Sequence, residues 1–271
     1  CGFLLLTHSE PGSFQLKWFI YAQTAAYLIT FFITFFIVLD KAKVRRFTWR
    51  WPFFVMILKK SYPYAVLVLL MTFYNRIDGV MLERLLPFRV GAVEAGIYAS
   101  AYRLLDAANM IAFLFAGLLL PIFARMIKLK ESVEEIADLS FSLLVIPAMI
   151  VSCCCAFFSY EMMDLLYEGS YIDESAKVFR ILMCCFVPIA STYIYGTLLT
   201  ANGNLRQLNI MASTGMLINI LLNFILIPRY SATGAAVSSI VTQSFTCLAQ
   251  VIMVRRTFRF TPNYTLWLRI L

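Results

Sequence analysis

The stretch YNRIDGVMLERLLPFRVGAVEAGIYASAYRLLDAAN, from Tyr74 to Asn109, puts four charges where the surrounding composition demands lipid. Arg76 and Asp78 sit near the end of one long apolar run, and Arg103 and Asp106 sit inside the next. An ionised side chain at the centre of a spanning helix costs roughly 2.5 to 3.5 kcal/mol on insertion scales, so four facing lipid would cost about 10 to 14 kcal/mol. These residues must therefore face protein, water or each other. Charges at membrane depth mark a candidate functional site.

The rest of the chain supports that reading. Apolar residues make up 61% of it, aromatic ones 15% and charged ones only 14%, with a mean hydropathy of +0.80. These values lie outside soluble globular usage and inside the membrane class. The net charge of +8 is spread over short loops between apolar runs, so it reads as a topology signal, with no nucleic acid as partner. Cys153, Cys154, Cys155, Cys184, Cys185 and Cys247 all lie within apolar runs, where cysteine behaves as a small hydrophobe. Three adjacent cysteines on a helix point in three directions, so neither a metal site nor a disulfide framework is expected.

About 20 apolar residues at 1.5 Å each span the hydrocarbon core. Seven segments qualify: 18–39, 61–82, 96–124, 136–158, 176–201, 207–227 and 233–254. All are expected to be helices, because an open strand edge cannot be satisfied in lipid. The third is longer than one span needs, which implies tilt or turns above the core. Basic residues concentrate in the segment 40–60 and in the loops after the third, fifth and seventh spans, whereas the opposite loops carry only Lys17, Arg84, Arg89 and Arg229 plus an acidic cluster from Glu161 to Glu174. The basic side is therefore expected to be cytoplasmic and residues 1–17 outside. His8 is assigned no chemistry. Both apolar ends read as cuts through a longer protein, 1–17 closing an earlier helix and 255–271 leading from a cytoplasmic loop into a further one.

The loops differ in kind. Trp49, Trp51, Phe53 and Phe54 beside Arg50 and Pro52 suit an interfacial segment with cations toward anionic lipid. Asn202-Gly203-Asn204 reads as a turn, and Pro228 with Gly234 brackets another. Pro121, Pro147 and Pro188 lie inside or near the ends of apolar runs, where they can kink helices.

Residues three or four apart share a helix face, whereas residues two apart do not. Arg76 and Asp78 therefore diverge, while Asn75 and Asp78 share a face. Arg103, Asp106, Asn109 and Met110 form a stripe on the next helix. The two helices are joined by a short loop and should be antiparallel neighbours, so Asp78 and Arg103 are expected to pair across them in the outer half of the membrane. Two roles follow for Arg103: holding an anionic group such as a diphosphate in a water-filled cavity, or locking two helices in a permanent ion pair. Asp78 or Asp106 could be neutralised in turn by a proton or by the arginine, and Arg76 is expected to snorkel to the headgroups. The candidate cavity set is thus Asn75, Arg76, Asp78, Arg103, Asp106 and Asn109. Asn219 and Asn223, four apart, read as interhelical packing contacts, and Gly196, Gly215, Gly234, Ala235 and Ala236 suit close helix approach. No phosphate-binding glycine loop, catalytic triad or zinc spacing is present.

RIDGVMLERLLPFRVGAVEAGIYASAYRLLDAANM, LLLPIFARM, GTLLTANGN and NILLNFILIPRYSATGAAVSS, in that order, resemble the polysaccharide biosynthesis proteins of the oligosaccharide flippase superfamily. These are Wzx-type exporters of O-antigen and capsule repeat units, related to lipid II flippases and to multidrug and toxin extruders. The resemblance implies an all-α polytopic membrane protein, a two-lobe transporter of 12 to 14 helices around a central cavity. About seven of those helices would lie in this fragment. It makes 18–39 the last helix of the N-terminal lobe, 40–60 a basic cytoplasmic connector and 61–254 the C-terminal lobe of six helices. Arg103 stands where the family's eighth helix contributes a cavity arginine, and Asp78-Gly79 match an Asp in its seventh. Ser231 departs from the pattern, which often has Gly after the Pro-x-Tyr turn.

The implied function is not enzymatic. It is translocation of undecaprenyl-diphosphate-linked oligosaccharide across the inner membrane, with no cofactor and with H+ or Na+ as the coupling ion. The implied partners are the lipid-linked oligosaccharide, anionic lipids and the polysaccharide polymerase machinery. The alternative within the superfamily is a drug or cation antiporter, which should favour acidic cavity residues. A seven-helix receptor fits by helix count, yet the last span lacks a lysine for a retinal Schiff base. A membrane glycosyltransferase would need a catalytic carboxylate from the acidic loop, which reads more simply as solvated.

Overall fold

A computed structural model describes residues 16–42, 51–167 and 171–258. Residues 1–15, 43–50, 168–170 and 259–271 lie outside the described residues, as do the expectations attached to them, whereas 40–42 and 51–60 of the expected connector are helical. The chain divides into two units, Cys1–Ile57 and Leu58–Leu271. In the first, helix α1 (Leu16–Ala42) is a single apolar span. The chain then continues as α2 (Trp51–Leu85), α3 (Phe88–Leu129), α4 (Glu134–Phe157), the short α5 (Ser159–Leu166), α6 (Ile172–Cys184), α7 (Phe186–Ala201) and α8 (Leu205–Phe258). No strand occurs among the described residues, as expected for backbone that must satisfy itself in lipid. Six helices among them are long and apolar enough to cross a membrane. The protein is a multi-pass, all-α membrane protein.

One of the expected spans divides. The expected sixth and seventh segments are the two helical arms of α8, which meet at Ser231, whose φ of 50° and ψ of −133° are not helical. The arms 205–230 and 232–258 each have the length of one span. The expected fifth segment is the α6–α7 rod, jointed at Cys185. Pro188 explains the joint. It has no N–H for the Cys184 carbonyl four residues back, and its ring crowds that group. The third helix, α3, has 42 residues, about 63 Å at 1.5 Å per residue. It far exceeds one bilayer crossing, in line with the tilt or overhang expected for it.

The rod is the hub. In its most apolar window 56% of residues are buried, against 6% in α2, and it packs on α3, α4 and α8. Apolar side chains gain little by leaving lipid for protein, so association rests on close packing and interhelical hydrogen bonds. The second arm of α8 is built for both. Ala232, Gly234, Ala235, Ala236, Ser238 and Ser239 are all buried, small enough to let backbones approach. At Gly234 the approach is closest, because a Cβ there would lie 2.5 Å from the Leu226 carbonyl oxygen of the opposite arm.

The turn between the arms is held from α3. The Ala232 N–H, at the start of the second arm, donates to Glu94 Oε2 at 3.0 Å, placing a carboxylate where free N–H groups and the helix dipole favour one. Ser231 itself carries strain, since a positive φ suits glycine rather than serine. Ser231→Gly should raise stability by about 1 kcal/mol, the relieved strain of about 1 to 3 kcal/mol being partly offset by the greater freedom of unfolded glycine. Thermal unfolding in detergent checks this. A lower midpoint would mean that the serine side chain contributes more than its backbone loses.

Candidate functional site

Asp78, on α2, is 1% exposed and receives hydrogen bonds from three other helical segments. Tyr98 Oη of α3 donates to Oδ2 at 2.7 Å, Asn223 Nδ2 of the first α8 arm donates to Oδ1 at 2.6 Å, and Ser239 Oγ of the second arm donates to Oδ2. Asn223 Nδ2 also reaches Asn219 Oδ1 at 3.1 Å, and Tyr98 Oη lies 3.0 Å from Ser239 Oγ, either of which could donate. Asn219 and Asn223, expected as packing contacts, thus join the carboxylate in one buried polar node. Among the described residues Asp78 makes no ion pair. Burying a carboxylate without a counter-charge costs free energy, which the three donated hydrogen bonds offset in the charged form and which a proton or bound cation would remove. Tyr98 and Ser239 are hydroxyl rotors that can turn between donating and accepting, so the node can accommodate either state without backbone movement.

The expected Asp78–Arg103 pair does not form. Arg103 is exposed. The ion pair is instead Arg76 Nη2 to Asp106 Oδ2 at 2.8 Å, with the side chains 62% and 39% exposed. The Arg76 guanidinium also lies over the Tyr102 ring, 5.3 Å from its centroid, so Arg76 is engaged by α3. The cause is the helical period. Residues 76 and 78 are about 200° apart at 3.6 residues per turn, so turning Arg76 toward α3 directs Asp78 toward α8. An exposed pair of this kind contributes less than about 1 kcal/mol. Arg76→Gln should accordingly leave the unfolding midpoint within a few degrees of wild type, and a large drop would show that the pair locks the two helices.

Beside the node lies a cavity of about 420 Å³, formed between α2, α3, α7 and both arms of α8. Of the residues expected at a cavity, Asn75 and Asn109 line it. Gln243 Nε2 donates to Asn75 Oδ1 across it at 2.8 Å. Gly196 leaves room for Gln250, whose side-chain amide would stand 3.2 Å from a Cβ placed there. Among the described residues no Asp, Glu, Lys, Arg or His lines it. A second space of about 10 Å³, close to what one water needs, shares Tyr74, Asn75, Ile189 and Gln243 with the cavity and Asn219 and Ser239 with the node.

Tyr98, Thr192, Ser239, Gln243 and Gln250 do not stand out in the sequence one by one, although several of them share a periodic signal. Ser239, Gln243, Thr246 and Gln250 recur at spacings of four, three and four within an apolar run, which is one helix face, and all four are buried. Cavity and node together describe a lobe with a polar interior inside an apolar shell. Solved structures share its fold. One is a MATE in the bent conformation, with a TM-score of 0.62 and 20% identity over 79% of this chain and 50% of that one.

The fold is that of MATE transporters. Another match is a MOP superfamily transporter from Pyrococcus furiosus, for which reverse polarity of the binding pocket suggests a different function, with a TM-score of 0.60 and 19% identity over 78% of this chain and 48% of that one. The chain therefore spans about half the length of these transporters. No family model matches the sequence, and no curated protein does.

Proposed function

We propose that this chain is the C-terminal lobe of a flippase that moves a lipid-linked oligosaccharide, carried on undecaprenyl diphosphate, across the inner membrane. The observation that carries the reading is the cavity without a carboxylate. A lobe that moves organic cations should offer fixed negative charge to offset their desolvation, whereas amides, hydroxyls and aromatic rings suit glycan chemistry. Arg76 and Arg103, both exposed, provide guanidinium groups for a diphosphate on the lobe surface, with Arg76 free to exchange Asp106 for a phosphate oxygen. The lipid tail would stay in the bilayer.

Asp78 is the coupling site in this scheme, taking up H+ or Na+. Ser239 of the node and Gln243 of the cavity are one turn apart on the same arm of α8, so occupancy at Asp78 bears directly on the cavity wall. The experiment is depletion of the full-length parent in its own cells, followed by mass spectrometry of lipid-linked glycans with drug sensitivity measured in parallel. Build-up of a complete repeat unit on its diphosphate carrier is the expected result. An unchanged lipid-linked pool together with heightened sensitivity to cationic drugs would replace the flippase with an antiporter.

A further inference from the structure

Three side-chain oxygens at the cavity wall are buried and without a hydrogen-bond partner: Asn109 Oδ1 on α3, Thr192 Oγ on α7 and Gln250 Oε1 on the second arm of α8. Thr192 is 6% and Gln250 1% exposed. A buried polar atom without a partner is disfavoured, and three such atoms from three helical segments bordering one space indicate that something with donors belongs between them. The space is about 420 Å³, within the range of about 300 to 1,000 Å³ typical of small-ligand sites. Other polar groups of the wall have partners: Asn75 Oδ1 accepts from Gln243, Thr197 Oγ donates to the Tyr193 carbonyl at 2.6 Å, and Thr200 Oγ donates to the Gly196 carbonyl at 2.7 Å. Asn109 Oδ1, Thr192 Oγ and Gln250 Oε1 are the buried side-chain atoms of the wall left without one among the described residues.

The ligand chemistry follows from what the wall has and lacks. Carbonyl and hydroxyl oxygens call for O–H or N–H donors. No ionisable acid or base among the described residues lines the space, so a full charge placed there would lose its hydration without a counter-charge. Phe113 and Tyr193, in edge contact with their ring centroids 6.3 Å apart, present an aromatic surface to the same space, and the C–H face of a pyranose stacks on such a surface. We propose that this cavity is a subsite for one uncharged sugar ring, held through its hydroxyl or acetamido donors by Gln250, Thr192 and Asn109. This rests on the glycan-transport reading and deepens it: the charged head of the cargo would be held at the exposed arginines, and a ring of its glycan inside the lobe.

The test uses the full-length transporter in nanodiscs, with methyl glucoside and methyl N-acetylglucosaminide as probes and saturation-transfer NMR as the readout, which detects weak binding. Wild type should transfer saturation to at least one glycoside. Gln250→Leu and Thr192→Val, which remove an acceptor while roughly keeping volume, should each weaken the effect about tenfold, the loss of about 1.4 kcal/mol for one hydrogen-bonding partner. Both variants should melt at or above the wild-type temperature, because each removes an unsatisfied buried atom. A purely structural role would instead lower it.

No glycoside binding, or binding indifferent to both variants, would overturn the subsite and leave the space to water. Binding of tetraphenylphosphonium that depends on Gln250 would overturn it in favour of a cation site. Displacement of the glycoside by purified lipid-linked oligosaccharide would assign the ring to that cargo, while glycoside binding without displacement would overturn that assignment in favour of a free glycan. The flippase reading is judged separately by the lipid-linked pool. Should that pool stay flat while Gln250-dependent sugar binding persists, the flippase fails and the subsite stands. A rising pool without sugar binding would leave the flippase standing and remove the subsite.

Discussion

On the reading proposed above, Asp78→Asn in the full-length protein is expected to keep the fold and to lower ion-driven transport by about 5- to 150-fold, the range set by a coupling free energy of about 1 to 3 kcal/mol. The substitution preserves size and two acceptor or donor positions but removes the charge that a proton or cation must neutralise. Its effect on stability should be small. The Asn223 amide keeps Asn219 Oδ1 at 3.1 Å, one of Tyr98 and Ser239 can donate to the other at 3.0 Å, and the remaining hydroxyl can donate to the new amide oxygen at position 78. Even Asp78→Leu should cost only about 1 to 2 kcal/mol, since interhelical hydrogen bonds in membranes average about 0.6 kcal/mol and reach about 1.7. Transport of the proposed lipid-linked cargo in proteoliposomes, under imposed proton and sodium gradients, measures the first effect and thermal unfolding the second. If Asp78→Asn transports normally, the carboxylate is packing alone. If it unfolds the lobe, the node is structural, and coupling must be sought elsewhere.

That contrast between a small structural effect and a large functional one also shows how much of the site could be read from sequence. The spans were legible because lipid permits one kind of backbone and the apolar runs have the length of one crossing. The divergence of Arg76 and Asp78 was legible too, because it follows from the helical period alone. Which neighbour each then meets was not, because it depends on how far α2 is rotated about its own axis. That rotation is set by residues more than a hundred positions away in sequence, Asn223 and Ser239 among them. With Arg76 turned to Asp106, the carboxylate at 78 is carried to α8 and Arg103 is left without it. The cavity posed a different difficulty. Its wall combines helical stripes from α2, α3 and α7 with residues of both arms of α8; each stripe is periodic in the sequence, but which stripes face one another depends on how the helices pack. The break at Ser231 had a sequence signal in the resemblance, where glycine is usual, and the backbone there adopts a conformation that glycine favours.

Gly234→Ala is expected to produce the largest loss of stability of any single methyl addition in the lobe, about 3 kcal/mol or more, at the upper end of what overpacking does. The new Cβ would stand 2.5 Å from the Leu226 carbonyl oxygen and 2.7 Å from its carbon. Both are backbone atoms of the opposite arm, so no side-chain rotation can relieve the overlap and the arms must separate. At Gly215 the nearest obstacle is the Thr246 methyl at 2.9 Å, a side-chain atom rather than backbone, so alanine there should cost less, although Thr246 is buried and bonded to the Gln243 carbonyl. Separation of the arms would act on function as well. Asn223 lies on one arm and Ser239 on the other, so opening the hairpin pulls two donors of Asp78 apart and should mimic Asp78→Asn in transport while, unlike it, lowering the unfolding temperature. Ser231→Gly, by freeing the turn to adjust, should restore part of both losses, a coupling that a double-mutant cycle would register as non-additive. Strict additivity would mean that the turn and the contact at Gly234 act independently, and that the strain at Ser231 does not set the distance between the arms.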